Sequence, residues 1–491
     1  MRRSLIPAAL TALLLASLFV PPSGAADRGN AAAQAARRPR PQKVGYQARG
    51  TFVPGEVLIK FRPGVSRGVE RAVHGAVGAR VLSRISGGLG IDHVRLPRGL
   101  TVADAVRRYS ANPLVEYAEP NFYRFPTFTP NDPNYNNLWA LNNTAQTHPI
   151  SDPPPATAAG TAGADMDVAE AWDNEKGDPG VVIAIVDSGV DTAHLDIAGN
   201  LWENPGETPG DGLDNDFNGK IDDVNGWDFE ENDAGLLGPS TALGFDHGTH
   251  VSGTIAGVTN NSTGVSGVCG GDAGAVTPEP GCSIMVLKFM DDLVDIDGDG
   301  FNDMVGTLSA EVAAITYARQ KGAHIINASY GGPSWTNSER EAIRLAGVNS
   351  DILFVAAAAN DSLDNDMSLA GDLNGDGIPD IFSPAYPASY NLSRILTVAA
   401  SNHHDEYGYF TGCGLGGNPL WFCAFTNFGR YSVDVAAPGV DILSTTPSNT
   451  YATFNGTSMA APHTAGVAGL LLSQDGTRSA LTLKNIIMAT A

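Results

Sequence analysis

The chain has 491 residues, with 30 Lys plus Arg against 53 Asp plus Glu and a formal net charge of −23 at pH 7. The imbalance is uneven: residues 1–125 carry 19 basic and 7 acidic side chains, whereas residues 126–491 carry 11 and 46. So acidic a body excludes nucleic-acid binding, which needs the opposite sign, and suits a soluble protein that takes up hard cations.

Residues 1–26 read as a signal peptide. Arg2 and Arg3 precede an apolar run over 5–20, followed by the small residues Ser23, Gly24, Ala25 and Ala26. That run is shorter than the roughly 20 residues of a spanning helix, and no later segment is apolar enough to cross a bilayer. A secreted, extracellular protein with no membrane contact after signal removal is expected. Residues 27–50, rich in Ala, Arg, Pro and Gln, read as a flexible linker. Within 51–125, periodicity predicts a strand at 56–61, a helix at 69–77, strands at 80–85 and 91–96, a helix at 102–109 and a strand at 115–119. That order, β-α-β-β-α-β, is a small α+β ferredoxin-like domain.

A loop rich in Pro, Gly, Ala and Thr (149–163) leads into the large domain. Continuous apolar runs at 181–186, 283–289, 325–329, 352–358 and 395–400 predict strands buried on both faces of a mainly parallel sheet. Helical patterns at 310–320 and 338–346 lie between them. Residues 126–491 are therefore expected to form an α/β layered fold, with the central sheet flanked by helices.

In such sheets, sites form beyond the carboxyl ends of the strands. Asp187 ends the first predicted strand and Asn360 follows another, while His247 and Ser458 stand where loop gives way to helix. A serine hydroxyl is a poor nucleophile until a base takes its proton, and the base needs a buried acid to hold its tautomer. Ser458 precedes a run of small residues (Ala460, Ala461, Ala465, Gly466) that suits a tightly packed helix. The free N–H groups and dipole of its first turn favour negative charge. His247, in Asp246-His-Gly-Thr-His250, is the candidate base, and Asp187, in Val186-Asp-Ser-Gly-Val190, the candidate orienter. The Asn360 amide and the Ser458 N–H are candidate oxyanion donors.

With these motifs in the order Asp, His, Ser, the sequence resembles the subtilisin-like serine proteases, the subtilases. Asp187-Ser-Gly-Val190, followed by His194 and Asp196, is similar to the family's Asp box. His247-Gly-Thr-His-Val251 is similar to its His box, and Gly456-Thr-Ser-Met-Ala-Ala-Pro-His463 to its Ser box, the most specific of the three. The resemblance implies a subtilisin-like layered fold and a serine endopeptidase acting through an acyl-enzyme. It makes Asp187, His247 and Ser458 catalytic and His250 a structural neighbour. It also implies that Ser329, Tyr330 and Gly331 pair with extended protein or peptide substrates, and that residues 386–390 wall the S1 pocket. Ala437-Pro-Gly439 is a further family feature. The domain at 51–125 resembles the family's inhibitory propeptide, which implies a self-processing zymogen held off by its own propeptide. A monomer needing no cofactor for the chemistry is expected. The sequence departs from the family at Ala359, where Gly is usual. It also ends at Ala491, where relatives usually continue with a final strand and helix, which fits a truncated reading.

Three acidic stretches share the cadence of calcium loops: Asp214, Asp216 and Asn218 with Asp222 and Asp223; Asp295, Asp297 and Asp299 with Asp303; and Asp372, Asn374 and Asp376 with Asp380. Alternating oxygen ligands around a glycine turn suit structural Ca2+. None has Glu at the twelfth position, so binding weaker than in a sensor EF-hand is expected. The same loops support an alternative reading, a calcium-dependent extracellular binding or scaffold protein with a degenerate hydrolase domain. Against it, they are scattered through one enzyme-like domain and not paired as in dockerins. A lipase or esterase is disfavoured because Ser458 sits in Gly-Thr-Ser-Met and not Gly-x-Ser-x-Gly. Among the four cysteines, the local pairing of Cys269 with Cys282 and Cys413 with Cys423 is expected. The sequon at Asn455 is expected to stay unmodified, since a glycan there would abut Ser458.

Overall fold

The computed structural model describes residues 52–85, 88–123, 128–151, 157–237, 246–294, 303–367, 369–371, 380–382, 384–409 and 424–491. The expected signal peptide and linker lie outside the described residues, as do Asp295, Asp297, Asp299, Asp372, Asn374, Asp376, Cys413 and Cys423. At Asp303 and Asp380 only the backbone is described; each begins a short strand. The chain divides into two units, Met1–Pro126 and Thr127–Ala491.

In the first unit, β1 (Phe52–Phe61), α1 (Arg67–Val77), β2 (Arg80–Ile85), β3 (Ile91–Arg95), α2 (Val102–Ser110) and β4 (Val115–Phe122) follow the expected order. The four strands form an antiparallel sheet in the order β2-β3-β1-β4, the ferredoxin-like arrangement. Local chemistry sets the helix ends. Gly78 takes the left-handed conformation at φ 72° and closes α1, while Thr101 Oγ1 accepts the Asp104 N–H at 3.1 Å and opens α2. Val57, Ile59, Val94, Ala105 and Tyr109 form the core. Beside it the buried carboxylates Glu70 and Asp92 are bridged by Arg84 at 2.9 and 3.0 Å.

The second unit is built on seven parallel strands: β5 (Val182–Asp187), β6 (Gly226–Asp228), β7 (Ser283–Lys288), β8 (Ile325–Ala328), β9 (Leu353–Ala357), β10 (Ile395–Ser401) and β11 (Val435–Pro438). Their order is β11-β10-β9-β8-β5-β7-β6. The first strand, β5, is thus interior, and the chain builds outward from it on both sides. Side chains alternate between two cores. Ile183 and Ile185 join one, with Val251 and Ile255 of α3 (His247–Ala256) and the alanines of a later helix. Val182, Ala184 and Val186 join the other, with Ala314 and Ile315 of α4 (Leu308–Gln320) and Ala342 of α5 (Asn337–Ser350). After β11 comes a hairpin, β12 (Ile442–Thr446) paired with β13 (Thr450–Phe454). It leads into α6 (Thr457–Gln474) and then α7 (Ala480–Thr490).

Helix α6 runs through one core, and its small residues let it approach closely. A Cβ on Gly466 would lie 2.6 Å from Val268 Cβ, and one on Gly469 would lie 2.8 Å from Cys282 Sγ. Cys282 is disulfide-bonded to Cys269 with a Cα–Cα separation of 5.5 Å, and both residues are fully buried. The five expected strands are present, with no end shifted by more than one residue. The two outermost, β6 and β11, were not expected. Gly226-Trp-Asp228 is too short to show a period, and Val435-Ala-Ala-Pro438 carries a proline that sheets tolerate at an edge.

Candidate active site

Strand β5 ends on Asp187, whose side chain is fully buried, and helix α3 begins on His247. His247 Nδ1–H donates to Asp187 Oδ1 at 2.8 Å, and the Ser188 N–H donates to the same oxygen at 2.8 Å. A carboxylate can only accept, so the proton sits on Nδ1 and Nε2 keeps its lone pair. Gly248 makes this approach possible: a Cβ there would lie 2.2 Å from Gly189 O and 3.1 Å from Asp187 Oδ1. Burial pushes the His247 pKa down. The Asp187 charge and hydrogen bond more than reverse this, leaving the pKa above the ordinary 6.5.

Ser458 is the second residue of α6. Pro462, four residues on, has no N–H to give to the Ser458 carbonyl, and Ser329 Oγ donates to that carbonyl instead at 2.9 Å. Ser329 Oγ itself accepts from Asn327 Nδ2 at 2.9 Å. Ser458 Oγ donates to Ser329 O at 3.0 Å. Among the described residues, then, the hydrogen bonds join His247 to Asp187 and Ser458 to the Ser329 backbone.

Asn360 lies three residues beyond β9. Its Oδ1 accepts from the Thr457 N–H at 2.9 Å and from Thr457 Oγ1 at 3.0 Å, which leaves Nδ2 as the free end. A Cβ built on Gly456 would stand 3.5 Å from Asn360 Nδ2 and 3.6 Å from Ser458 N. The two donors therefore flank one small space that glycine keeps open. Ala359, before Asn360, adopts φ 82°, a left-handed conformation that costs a non-glycine residue about 1 kcal/mol. It is held there by its N–H to Thr457 Oγ1 at 3.2 Å and by the Asn427 N–H to its carbonyl at 2.9 Å. It lines a cleft of about 540 Å³ together with Tyr330, Gly331, Asn360, Leu363 and Ser458 among others. Gly332 and Tyr386 exchange backbone hydrogen bonds at 2.9 and 2.8 Å, which brings the 386–390 segment beside that cleft. Tyr330 is braced from behind by Glu311 Oε1 at 2.9 Å. Burial and the adjoining Glu339 push the Glu311 carboxyl above its ordinary range.

His250 points away from this chemistry. Its Nε2 donates to Ile442 O at 2.9 Å and Ala452 O at 3.1 Å, its ring stacks on Phe454, and burial pushes its pKa down to about 3.

In the first acidic loop, Asp216 and Asp223 converge with Glu207, their carboxylate oxygens within 4.8 Å of one another. Glu207 Oε2 is buried without a hydrogen-bond partner, an orphaned oxygen that fits a hard cation in this cluster. The other expected ligands of this loop lie outside that cluster and make hydrogen bonds of their own. Asp214 accepts the Asn218 and Gly219 N–H groups at 3.0 and 2.8 Å, Asp222 accepts those of Gly210 and Gly212, and Asn218 donates to Asp223 at 2.7 Å. Glu207 lies outside the Asp-x-Asp-x-Asn-Gly cadence, so spacing gave no sign of it. Its only local signal is the acidic charge shortly before the loop.

A buried carboxylate, an imidazole hydrogen-bonded to it and a serine at a helix start are among the parts a serine hydrolase requires. The chain belongs to the subtilase family: residues 178–491 match that family (Peptidase_S8), and residues 39–121 match the fervidolysin N-terminal prodomain. It is similar to the thermophilic serine proteinase of Bacillus sp. (strain AK1), 30% identical over 447 residues that cover 90% of this chain and 83% of that protein. It is also similar to thermitase of Thermoactinomyces vulgaris, 35% identical over 322 residues, covering 66% of this chain and 84% of that protein. A third relative, named extracellular protease, from Xanthomonas campestris pv. campestris, is 30% identical over 423 residues, covering 83% of this chain and 60% of that protein. The protein is thus a subtilisin-like serine peptidase with a prodomain, and the scaffold alternative is set aside.

Proposed function

We propose that the protein is a secreted serine endopeptidase made as a self-processing zymogen. Residues 1–26 direct export, 27–50 link, 51–125 form the inhibitory propeptide and 126–491 form the peptidase. Ser458 Oγ attacks the scissile carbonyl, His247 Nε2 takes its proton and returns it to the leaving amine, and Asp187 holds the imidazole and balances its charge. Asn360 Nδ2 and the Ser458 N–H receive the oxyanion, and water then releases the acyl group by the same steps. Extended substrate adds to Ser329, Tyr330 and Gly331 by backbone hydrogen bonds. The observation that carries the reading is the space beside Gly456 flanked by Asn360 Nδ2 and Ser458 N, which is where a tetrahedral oxyanion would need its donors. The Xanthomonas relative's name and the charged, apolar and small-residue pattern at 1–26 support export. The basic 51–125 region and the acidic body have the charge complementarity of an inhibitor and its enzyme. A serine-directed phosphonate tests the nucleophile. The label should map to Ser458, and a label on another residue, or none on protein that cleaves peptides, would sink the assignment.

Because the base must be neutral and its pKa is raised, kcat/KM is expected to fall on the acid side along a limb lying above pH 6.5. Asp187→Asn removes the cause of the raise and should move that limb to lower pH. A profile with no acid limb, or one unmoved in Asp187→Asn, would count against His247 as base.

Subtilases commonly bind structural calcium. Glu207, Asp216 and Asp223 would hold the ion here and, when bound, it would offset their mutual repulsion. Lys321, paired with Asp216 and 3.7 Å from Asp223, already offsets part of it. After chelator treatment, Ca2+ at about 100 times its Kd is expected to raise Tm by about 5 °C, and Glu207→Gln to remove most of that rise. An undiminished rise in Glu207→Gln would move the ion elsewhere.

A further inference from the structure

A second cluster of potential ligands lies outside the Ser458 cleft, and neither catalysis nor calcium accounts for it. His148, His403 and Asp441 come from three distant segments. His148 sits in a short strand (Thr147–Pro149), His403 in the turn after β10, and Asp441 in the bend between β11 and β12. All three are buried, at 1, 3 and 1% exposure. One ligand atom from each lies within 4.8 Å of the others.

The histidines are the informative members. Neither ring nitrogen of His148 makes a well-formed hydrogen bond, only a weak approach to the Gln146 backbone, and Nδ1 of His403 has no partner. Buried imidazole nitrogens are ordinarily paired, because leaving them unpaired forfeits the hydration they had in the unfolded chain. The two rings meet edge to face at 4.7 Å, with Trp139 against both at 6.2 and 5.8 Å. A neutral imidazole offers one ring-nitrogen lone pair to a metal. Asp441 is held in place independently: Ser151 N–H and Oγ donate to its Oδ1 at 2.9 and 3.1 Å, and its own N–H donates to Asn455 Oδ1 at 2.6 Å.

We propose that His148, His403 and Asp441 form a transition-metal site, with Zn2+ its best-fitting occupant. Two imidazole nitrogens and one carboxylate are a borderline donor set that suits zinc and disfavours calcium or magnesium, which take oxygen ligands. Ligand atoms around tetrahedral zinc stand about 3.3 Å apart, given bonds of about 2.0–2.1 Å. The cluster needs only to draw in from its present spread, with a water or a nearby protein group filling the fourth position. The site would tie the start of the peptidase unit, near residue 148, to the bend at Asp441. Asn455 extends the tie, since it accepts from Asp441 and lies three residues before Ser458. The role is structural, and the proposal does not depend on the peptidase reading.

The test uses full-length protein in the Ser458→Ala form, so that one species is present, stripped of metal and then titrated with Co2+. A visible d–d band of four-coordinate intensity should saturate near one equivalent, Zn2+ should abolish it, and Zn2+ at about 100 times its Kd should raise Tm by about 5 °C. His148→Gln and His403→Gln should each weaken Co2+ binding at least 100-fold, while Glu207→Gln, at the acidic loop, leaves it unchanged. If a histidine variant does not fold by circular dichroism, Asp441→Asn takes its place with the same expected loss. Absence of the band in folded protein, no Tm response to Zn2+, or a band that persists in the histidine variants would each overturn the proposal.

Discussion

Replacing Ser458 with alanine is expected to lower kcat/KM on a peptide substrate by about 10⁴ or more and to leave Tm within about 2 °C of the parent. In the proposed mechanism the loss is large because the hydroxyl forms a covalent bond that no neighbour can supply. It is not total, because Asn360 Nδ2 and the residue-458 N–H still flank the space beside Gly456 and stabilise direct attack by water. Stability should hardly move. The side chain lost is small, and the one hydrogen bond it takes with it, to Ser329 O, is worth about 1 kcal/mol. The carbonyl of residue 458 keeps its Ser329 Oγ partner, so the irregularity that Pro462 creates stays satisfied. The same variant should remain full-length during expression if processing is the enzyme's own work. Steady-state kinetics and an electrophoretic comparison with the parent check both parts; a loss of less than tenfold would remove Ser458 from the nucleophile's role.

Asn360→Asp is expected to lower kcat by about 10²–10³ or more with little change in KM and little change in Tm. The two ends of this side chain have separate tasks. Oδ1 secures the start of α6 through Thr457 N–H and Oγ1, and aspartate keeps that acceptor. Nδ2 faces the space beside Gly456, where aspartate would put negative charge against the developing oxyanion. Asn360→Ala should lose the rate as well, but with a drop in Tm of several degrees, because two donors at the head of α6 are then left unpaired. A matched pair of thermal scans and kinetic runs separates the roles. Equal Tm losses in both variants, or rates close to the parent in Asn360→Asp, would make Asn360 a merely structural residue.

These two residues also show how much of the molecule could be read in advance. The segments around Asp187, His247 and Ser458 were legible because each is local: glycine, the acting side chain and small neighbours fall within a few positions, and the backbone geometry they need is written there. Buried strands such as β5 and β9 were legible as unbroken apolar runs. What escaped was set by packing between distant segments. Glu207 joins Asp216 and Asp223 only because the chain folds back, and the cadence of the loop pointed instead to Asp214 and Asp222, which accept backbone N–H groups. His148 and His403 are separated by more than half the chain, so no spacing rule could pair them. The direction of the Ser458 hydroxyl was equally hidden, since it depends on where the backbone of residue 329 passes.

Helix α6 carries Ser458, the proposed nucleophile, at its first turn and is buried for most of its length, against the disulfide on one side and the parallel strands on another. A residue mounted on such an element cannot fray loose while the rest of the fold persists, since the opening that frees it would dismantle the core. Heat should therefore extinguish catalysis and melt the peptidase unit as one event. Residual activity after a heat pulse then becomes a count of intact molecules, with no population of folded but silent ones between.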